Sequence, residues 1–142
     1  MLHEELTNTI ICAFFKVYNT LGHGFLEKVY ENALVIELKK CGLSLTQQAG
    51  VRVFYEGEQV GDYFADIIVN GLVILELKAA EVLKNENFAQ LTNYLKATDM
   101  EVGLLLNFGK KPEFKRIILT NDKKKQFHTD LTDWTDKGGY NL

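Results

Sequence analysis

Among 142 residues the chain has one proline, Pro112, and only two cysteines, Cys12 and Cys41. Two thiols that far apart match neither a metal-ligand spacing nor a disulfide framework, so both are read as reduced. Histidine is scarce as well. His3, His23 and His128 are dispersed, each reads as a surface or loop residue, and no Ser/His/Asp arrangement stands beside them. No apolar run approaches the roughly 18 residues that a membrane span requires, so no membrane partner is expected. The opening "MLHEELTNTIICAFFKVYNT" carries charge early and lacks a small-residue cleavage site, which argues against a signal peptide. Repeats, linkers and low-complexity stretches are absent too. The expectation is one domain over residues 1–142, with a core at about 5–120 and a polar C-terminal tail, in a reducing, cytoplasmic setting. A net charge of −3 excludes a strong global pull on nucleic acid but leaves local patches open.

What is present is 46% hydrophobic content, enough for one core. Leu6, Ile10, Phe14, Val17, Tyr18 and Leu21 recur at helical spacing, and Gly22 stops that helix. A second helix is expected from about Leu26 to Lys40, with Val29, Tyr30, Ala33, Leu34 and Leu38 inward and Gly42 as its stop. The character then changes. "VRVFYEG" alternates into a turn, and "VGDYFADIIV" and "LVILELKA" flank Asn70-Gly71, a hairpin signal. A third helix is expected over about Asn87 to Thr98, followed by the strands "VGLLLNF" and "FKRIILT". The order ααβββαββ predicts an α/β (α+β sandwich) architecture with a mixed central sheet flanked by helices.

The apolar stretch "YFADIIVNGLVILELKAA" contains three ionisable residues, Asp66, Glu76 and Lys78. Burying an unpaired charge there would cost several kcal/mol or force neutralisation. Strand periodicity puts Leu72, Ile74, Glu76 and Lys78 on one face, and Val73, Leu75 and Leu77 on the other. The loop then decides the rest. A two-residue Asn70-Gly71 turn would pair Asp66 with Leu75 and point the two acids apart. A three-residue loop, Val69 to Gly71 with Gly71 left-handed, would pair Ile68 with Leu72 and set Asp66 diagonal to Glu76 on one face. A joint site therefore predicts an odd-length loop. Taken alone, Glu-x-Lys at a strand end is usually a solvated end with a weak ion pair, and Asp66 could be a turn residue.

Two convergent carboxylates make an oxygen-rich site suited to Mg²⁺ or Mn²⁺, with water completing the coordination. Lys78, two residues from Glu76, could orient a water or stabilise charge developing on a phosphate. That set suits phosphodiester hydrolysis better than proton transfer at carbon.

Asp66-x9-Glu76-x-Lys78 resembles the core signature of the PD-(D/E)XK nuclease superfamily, with Glu in the variable acidic position. Gln90-Leu-Thr-Asn-Tyr94 is similar to the QxxxY motif of RecB-type members, and it falls on the helix after the catalytic strand. Gly24-Phe-Leu-Glu27-Lys-Val-Tyr30 resembles the motif that names the GxxExxY branch, and "NYLKAT" and "VGLLLNFG" also look like that branch. The resemblance implies a restriction-endonuclease-like core and a metal-dependent nuclease. It implies Asp66 and Glu76 as metal ligands, Glu27 completing the metal site, and Lys78 as the catalytic lysine. Gln90 would orient Lys78 or a phosphate, with Tyr94 beside it; the spacing of four puts both on one helical face. Glu27 also reads as a first-turn glutamate favoured by the helix dipole, and Tyr30 as packing. The chain departs from the pattern in having Ala65, not proline, before Asp66, and Asn87 where a histidine is expected.

The implied partner is nucleic acid, DNA ahead of RNA, and a duplex substrate would ask for a second site and hence a homodimer. A non-cleaving nucleic-acid-binding module stays open beside the nuclease. Lys110, Lys111, Lys115, Arg116, Lys123, Lys124 and Lys125 outnumber Glu113 and Asp122 and could track a phosphate backbone, with Lys123, Lys124 and Lys125 the candidate contacts. The plain alternative is a solvated strand end and loop. A protein-interaction role with structural acids is the third reading.

Overall fold

A computed structural model describes residues 1–124. Helix α1 runs over Glu4–Leu21 and α2 over Glu27–Lys40. Strands β1 (Leu45–Tyr55), β2 (Glu58–Val69) and β3 (Val73–Lys78) follow, then α3 (Asn85–Lys96), β4 (Val102–Phe108) and β5 (Pro112–Ile118). The ααβββαββ order is as expected. The strands form one five-stranded sheet in the order β1-β2-β3-β4-β5. Only β3 and β4 run parallel, joined by the α3 crossover; every other neighbour is antiparallel. Helices cover both faces of this mixed sheet, an α+β arrangement consistent with a restriction-endonuclease-like fold.

The sheet separates two apolar layers. On one side Ile10, Phe14 and Val17 of α1 and Tyr30, Leu34 and Leu38 of α2 pack on Ile67, Val69, Val73, Leu75, Leu77, Leu104 and Leu106. On the other, Leu91, Tyr94 and Leu95 of α3 pack on Val51, Ala65, Ile74 and Leu105. Every residue of β4 is buried, as a central strand covered on both faces requires. Gly103 has a specific place in that layer: a Cβ there would lie 2.8 Å from Leu91 Cδ1, so its bare backbone lets α3 approach.

Strand β1 begins six residues before the alternating run "VRVFYEG" suggests. Thr46, Gln47 and Gln48 are exposed and carry no apolar signal, and pairing with the apolar end of β2, Leu45 against Val69, makes them a strand. Residues 121–124 add one helical turn. Lys125, His128 and the rest of the polar tail lie outside the described residues.

Candidate active site

The β2–β3 connection has odd length, but not the register anticipated. Val69 pairs with Val73, Ile68 with Ile74 and Ile67 with Leu75, leaving Asn70, Gly71 and Leu72 as the loop. Asn70 (φ 53°) and Gly71 (φ 64°) are both left-handed, and the Leu72 N–H closes the turn on the Val69 carbonyl at 2.9 Å. Asn70 accepts this conformation because Ser44 braces it. The Ser44 N–H donates to Asn70 Oδ1 at 2.8 Å, and the Asn70 N–H donates to the Ser44 carbonyl at 2.7 Å. The expectation of a Val69–Gly71 loop, with Asp66 opposite Ile74, is thereby corrected: continuing the register sets Asp66 directly against Glu76.

At that level carboxylates replace the backbone ladder. The Asp66 N–H donates to Glu76 Oε2 at 2.8 Å, and the Leu77 N–H donates to Asp66 Oδ2 at 2.7 Å. The β1–β2 ladder also skips this level, passing from Gln47/Ile67 to Ala49/Ala65, with Gln48 left-handed at φ 49°. Side-chain facing changes across the break. Ile67 and Val69 face α1 and α2, whereas Ala65 joins the α3 layer two residues earlier. A break in the ladders of the sheet thus aims both acids at one place.

Electrostatics report how unusual this is. Burial, then the Asp66 charge and more weakly that of Glu27, push the Glu76 carboxyl up to about 8; the Asp66 N–H and Lys78 pull the other way. Asp66 is also raised, first by burial and then by Glu31, against the Leu77 N–H, Gln48 and Lys78. The two acids share a low-dielectric position with too little positive charge.

Lys78 is held from the α3 side. Its Nζ donates to Gln90 Oε1 at 3.4 Å, and Gln90 Nε2 donates to the Tyr94 hydroxyl at 3.1 Å. The four-residue spacing expected on α3 therefore becomes a chain from Lys78 through Gln90 to Tyr94, which is 5% exposed. Burial, then Glu76, raises the Tyr94 hydroxyl, so it stays protonated near neutrality. Asn87, standing where a histidine was expected, accepts the Lys84 N–H at 2.9 Å through Oδ1 and so caps α3.

Glu27 is the first, exposed residue of α2. Its placement depends on Tyr30, whose buried ring stacks on Phe108 at 4.3 Å. The Tyr30 hydroxyl donates to the Gly22 carbonyl at 2.6 Å and accepts the Phe25 N–H at 3.2 Å. That closes the turn before α2, in which Gly24 sits at φ 111°, a conformation other residues rarely adopt.

Residues with no reading from the sequence join the site. Glu31, one turn beyond Glu27, is 4% exposed. Its Oε2 accepts from Gln47 Nε2 at 2.8 Å and Lys28 Nζ at 3.1 Å, and its Oε1 from Gln48 Nε2 at 3.0 Å. The same Gln48 nitrogen lies 3.5 Å from Asp66 Oδ1. The i, i+4 spacing from Glu27 was the available signal; Gln47 and Gln48 offered none.

The basic cluster disperses. Lys124 is buried, donating its ammonium to the Thr98 carbonyl at 3.0 Å and also to that of Met100, and burial pushes it down to about 8. It is a tether for the end of α3 and has no free face for a phosphate. Thr98 and Met100 precede β4 at the Val73 end of β3, the end away from Lys78. Lys123 is exposed beside it, and Lys125 lies outside the described residues. Arg116 bonds Thr7 Oγ1 at 3.1 Å, and Lys110 pairs with Glu81 at 3.4 Å. Both thiols are free and exposed.

The donor chemistry fits a divalent cation. Each acid has one oxygen on a backbone N–H, the other carries no backbone bond, and a hard cation would compensate the paired charge. Among the described residues no group of three or more His, Cys, Asp or Glu forms a ready-made cage. Glu27 stands outside the pair, so water or substrate oxygen would complete the coordination, as Mg²⁺ readily permits.

A mixed sheet covered by helices, with acid, acid and lysine on its central hairpin, defines a nuclease-like class of domain. The chain belongs to the PD-(D/E)XK nuclease superfamily, whose sequence profile matches residues 4–117. That span includes Glu27, Asp66, Glu76, Lys78, Gln90 and Tyr94 and ends before Lys123. No curated protein matches the chain. One similar solved structure is described as "Crystal structure of SSO0001", with a TM-score of 0.49 at 14% identity, covering 92% of this chain and 69% of that one. Among the described residues no helix is long and apolar enough to cross a membrane.

Proposed function

We propose that this protein is a divalent-metal-dependent nuclease of the GxxExxY branch that hydrolyses phosphodiester bonds in nucleic acid. The observation that carries the reading is the reciprocal Asp66–Glu76 pair on adjacent strands, with Lys78 held beside it by Gln90. Asp66 and Glu76, with Glu27 at the mouth, would hold Mg²⁺ or Mn²⁺. The ion would neutralise the paired carboxylates and polarise a phosphate oxygen. Lys78 would hold the attacking water and offset charge on the pentacoordinate phosphate, with Gln90 fixing its ammonium. Glu31 and Gln48 would steady the Asp66 carboxylate from the α2 side. A DNA substrate, a cytoplasmic setting and a homodimer complete the proposal.

The test is hydrolysis of single- and double-stranded DNA and RNA with Mg²⁺ or Mn²⁺. Glu76→Ala should abolish cleavage. Lys78→Ala should lower it by about 10²–10³-fold, the range for removing one preorganised electrostatic group. Cleavage that survives both substitutions rejects the mechanism.

A further inference from the structure

One exposed ring lies against the site, and its placement is built. Tyr63 of β2 is 51% exposed, yet its ring centroid is 6.0 Å from that of Tyr94, inclined at 44°. Tyr94 is the end of the chain that runs through Gln90 to Lys78. Tyr63 leans over Gly61, two residues back on the same face. A Cβ at Gly61 would lie 2.9 Å from Tyr63 Cε2 and 3.4 Å from Val53 Cβ. The glycine makes the space, and Tyr94 supports the ring from the α3 side. A large aromatic surface is thus held open to solvent at the border of the carboxylate site, where burying it would have been the more stable use of a tyrosine.

The charge around it restricts what can dock. Beyond Tyr63 the β1–β2 hairpin ends in exposed Glu56 and Glu58, with Asp62 opposite Arg52. That acidic tip repels a phosphate backbone. An uncharged π face is what the strand offers beside the site, and what fits a π face there is a nucleobase.

We propose that Tyr63 is a stacking platform for an unpaired base next to the scissile phosphate, which makes single-stranded or frayed nucleic acid the preferred substrate. The inference rests on the nuclease reading for its substrate class. A base inside an intact duplex has both faces covered by its neighbours and cannot reach the ring, whereas an unpaired base can turn onto it while its phosphate meets Lys78. Every base has a π face, so the contact selects strandedness and not sequence.

The experiment measures binding without cleavage. The full chain carrying Glu76→Gln is titrated, in chelator, against fluorescently labelled single strands and blunt duplexes, each as DNA and as RNA. Single strands should bind tighter than duplexes. Tyr63→Leu should weaken single-strand binding about 5- to 150-fold, the range for one stacked base, and leave duplex binding unchanged. Tyr63→Phe, which keeps the π face, should retain wild-type affinity. Because stacking releases no counterions, the factor lost should be the same at 50 and 200 mM salt. An abasic position scanned along the strand should reproduce the loss in the Tyr63 protein and add nothing in the leucine variant. Equal losses on single strands and duplexes, or unchanged single-strand binding in a folded Tyr63→Leu protein, overturn the platform. Hydrolysis by the Glu76 protein that ignores Tyr63→Leu overturns it and leaves the nuclease reading standing. Tyr63-dependent binding with no hydrolysis does the reverse, and no binding to any strand overturns the platform, while hydrolysis with Mg²⁺ or Mn²⁺ decides the nuclease reading.

Discussion

Glu76 is where the energetics of single residues are most exposed. Its carboxyl titrates near 8 in the folded chain and near 4.5 when unfolded. Between those values the folded state keeps a proton that the unfolded state has released, so stability falls as pH rises from about 4.5 to 8 and then levels. Glu76→Gln removes that penalty while keeping the shape and an oxygen for the Asp66 N–H. In chelator at pH 8 the variant should melt higher than wild type, with the gap closing towards pH 5. A gap of equal size at both pH values would show that ionisation at Glu76 is not its source. Tyr30 makes a different kind of contribution. Tyr30→Phe keeps the stack on Phe108 but leaves the Gly22 carbonyl and Phe25 N–H without their partner. The expected cost is about 1 kcal/mol by chemical denaturation. Activity should fall further than stability does, because the turn that delivers Glu27 loosens.

At the scale of elements, the site depends on how close α3 comes to the sheet. Leu91 sits on Gly103, and Gln90, its neighbour in sequence, holds Lys78. Gly103→Ala puts a methyl 2.8 Å from Leu91 Cδ1, so the Leu91 side chain must shift. It should cost about 1–3 kcal/mol, the range for overpacking, and reduce catalysis by moving Gln90 off Lys78. Gly103→Ala with Leu91→Ala should recover part of that catalytic loss although each change alone destabilises. A double-mutant cycle in urea and in activity measures the coupling; strict additivity would separate the α3 approach from the site. On the other face α2 is fastened to β1 by Glu31, Gln47 and Gln48, so the strand level that carries Asp66 is gripped from the helix that carries Glu27. Two helices on opposite faces therefore hold the two halves of the constellation.

For the molecule as a whole, a cation that binds only the folded site must raise stability by linkage. At a hundredfold excess over its Kd that gain is about 2.7 kcal/mol. Mg²⁺ or Mn²⁺ should raise the melting temperature of the wild type and leave that of Asp66→Ala unmoved. An equal shift in both would mean binding elsewhere. The legible part of this molecule was the part written in period and type. Helical spacing in Leu6 to Leu21, the apolar runs of β3 and β4, and the Asn70-Gly71 turn give the element order directly, because each is a local preference of the backbone. The acid, acid and lysine pattern was legible too, since three charges in an apolar hairpin demand a reason. Register was not. The Ser44 brace on Asn70, 26 residues away, moved the loop by one residue and turned a diagonal into a facing pair. Nor could spacing reveal that Lys124, one of three adjacent lysines, turns inward onto the Thr98 and Met100 carbonyls that follow α3. Sequence by itself determined the elements, their order and the residue types at the site, because these follow from local sterics and hydrophobic periodicity. Only the tertiary structure decided which side chains meet: Glu31 and Gln48 behind Asp66, Gln90 on Lys78, Tyr63 on Tyr94. Those contacts join distant segments, and their geometry is fixed by packing across the sheet.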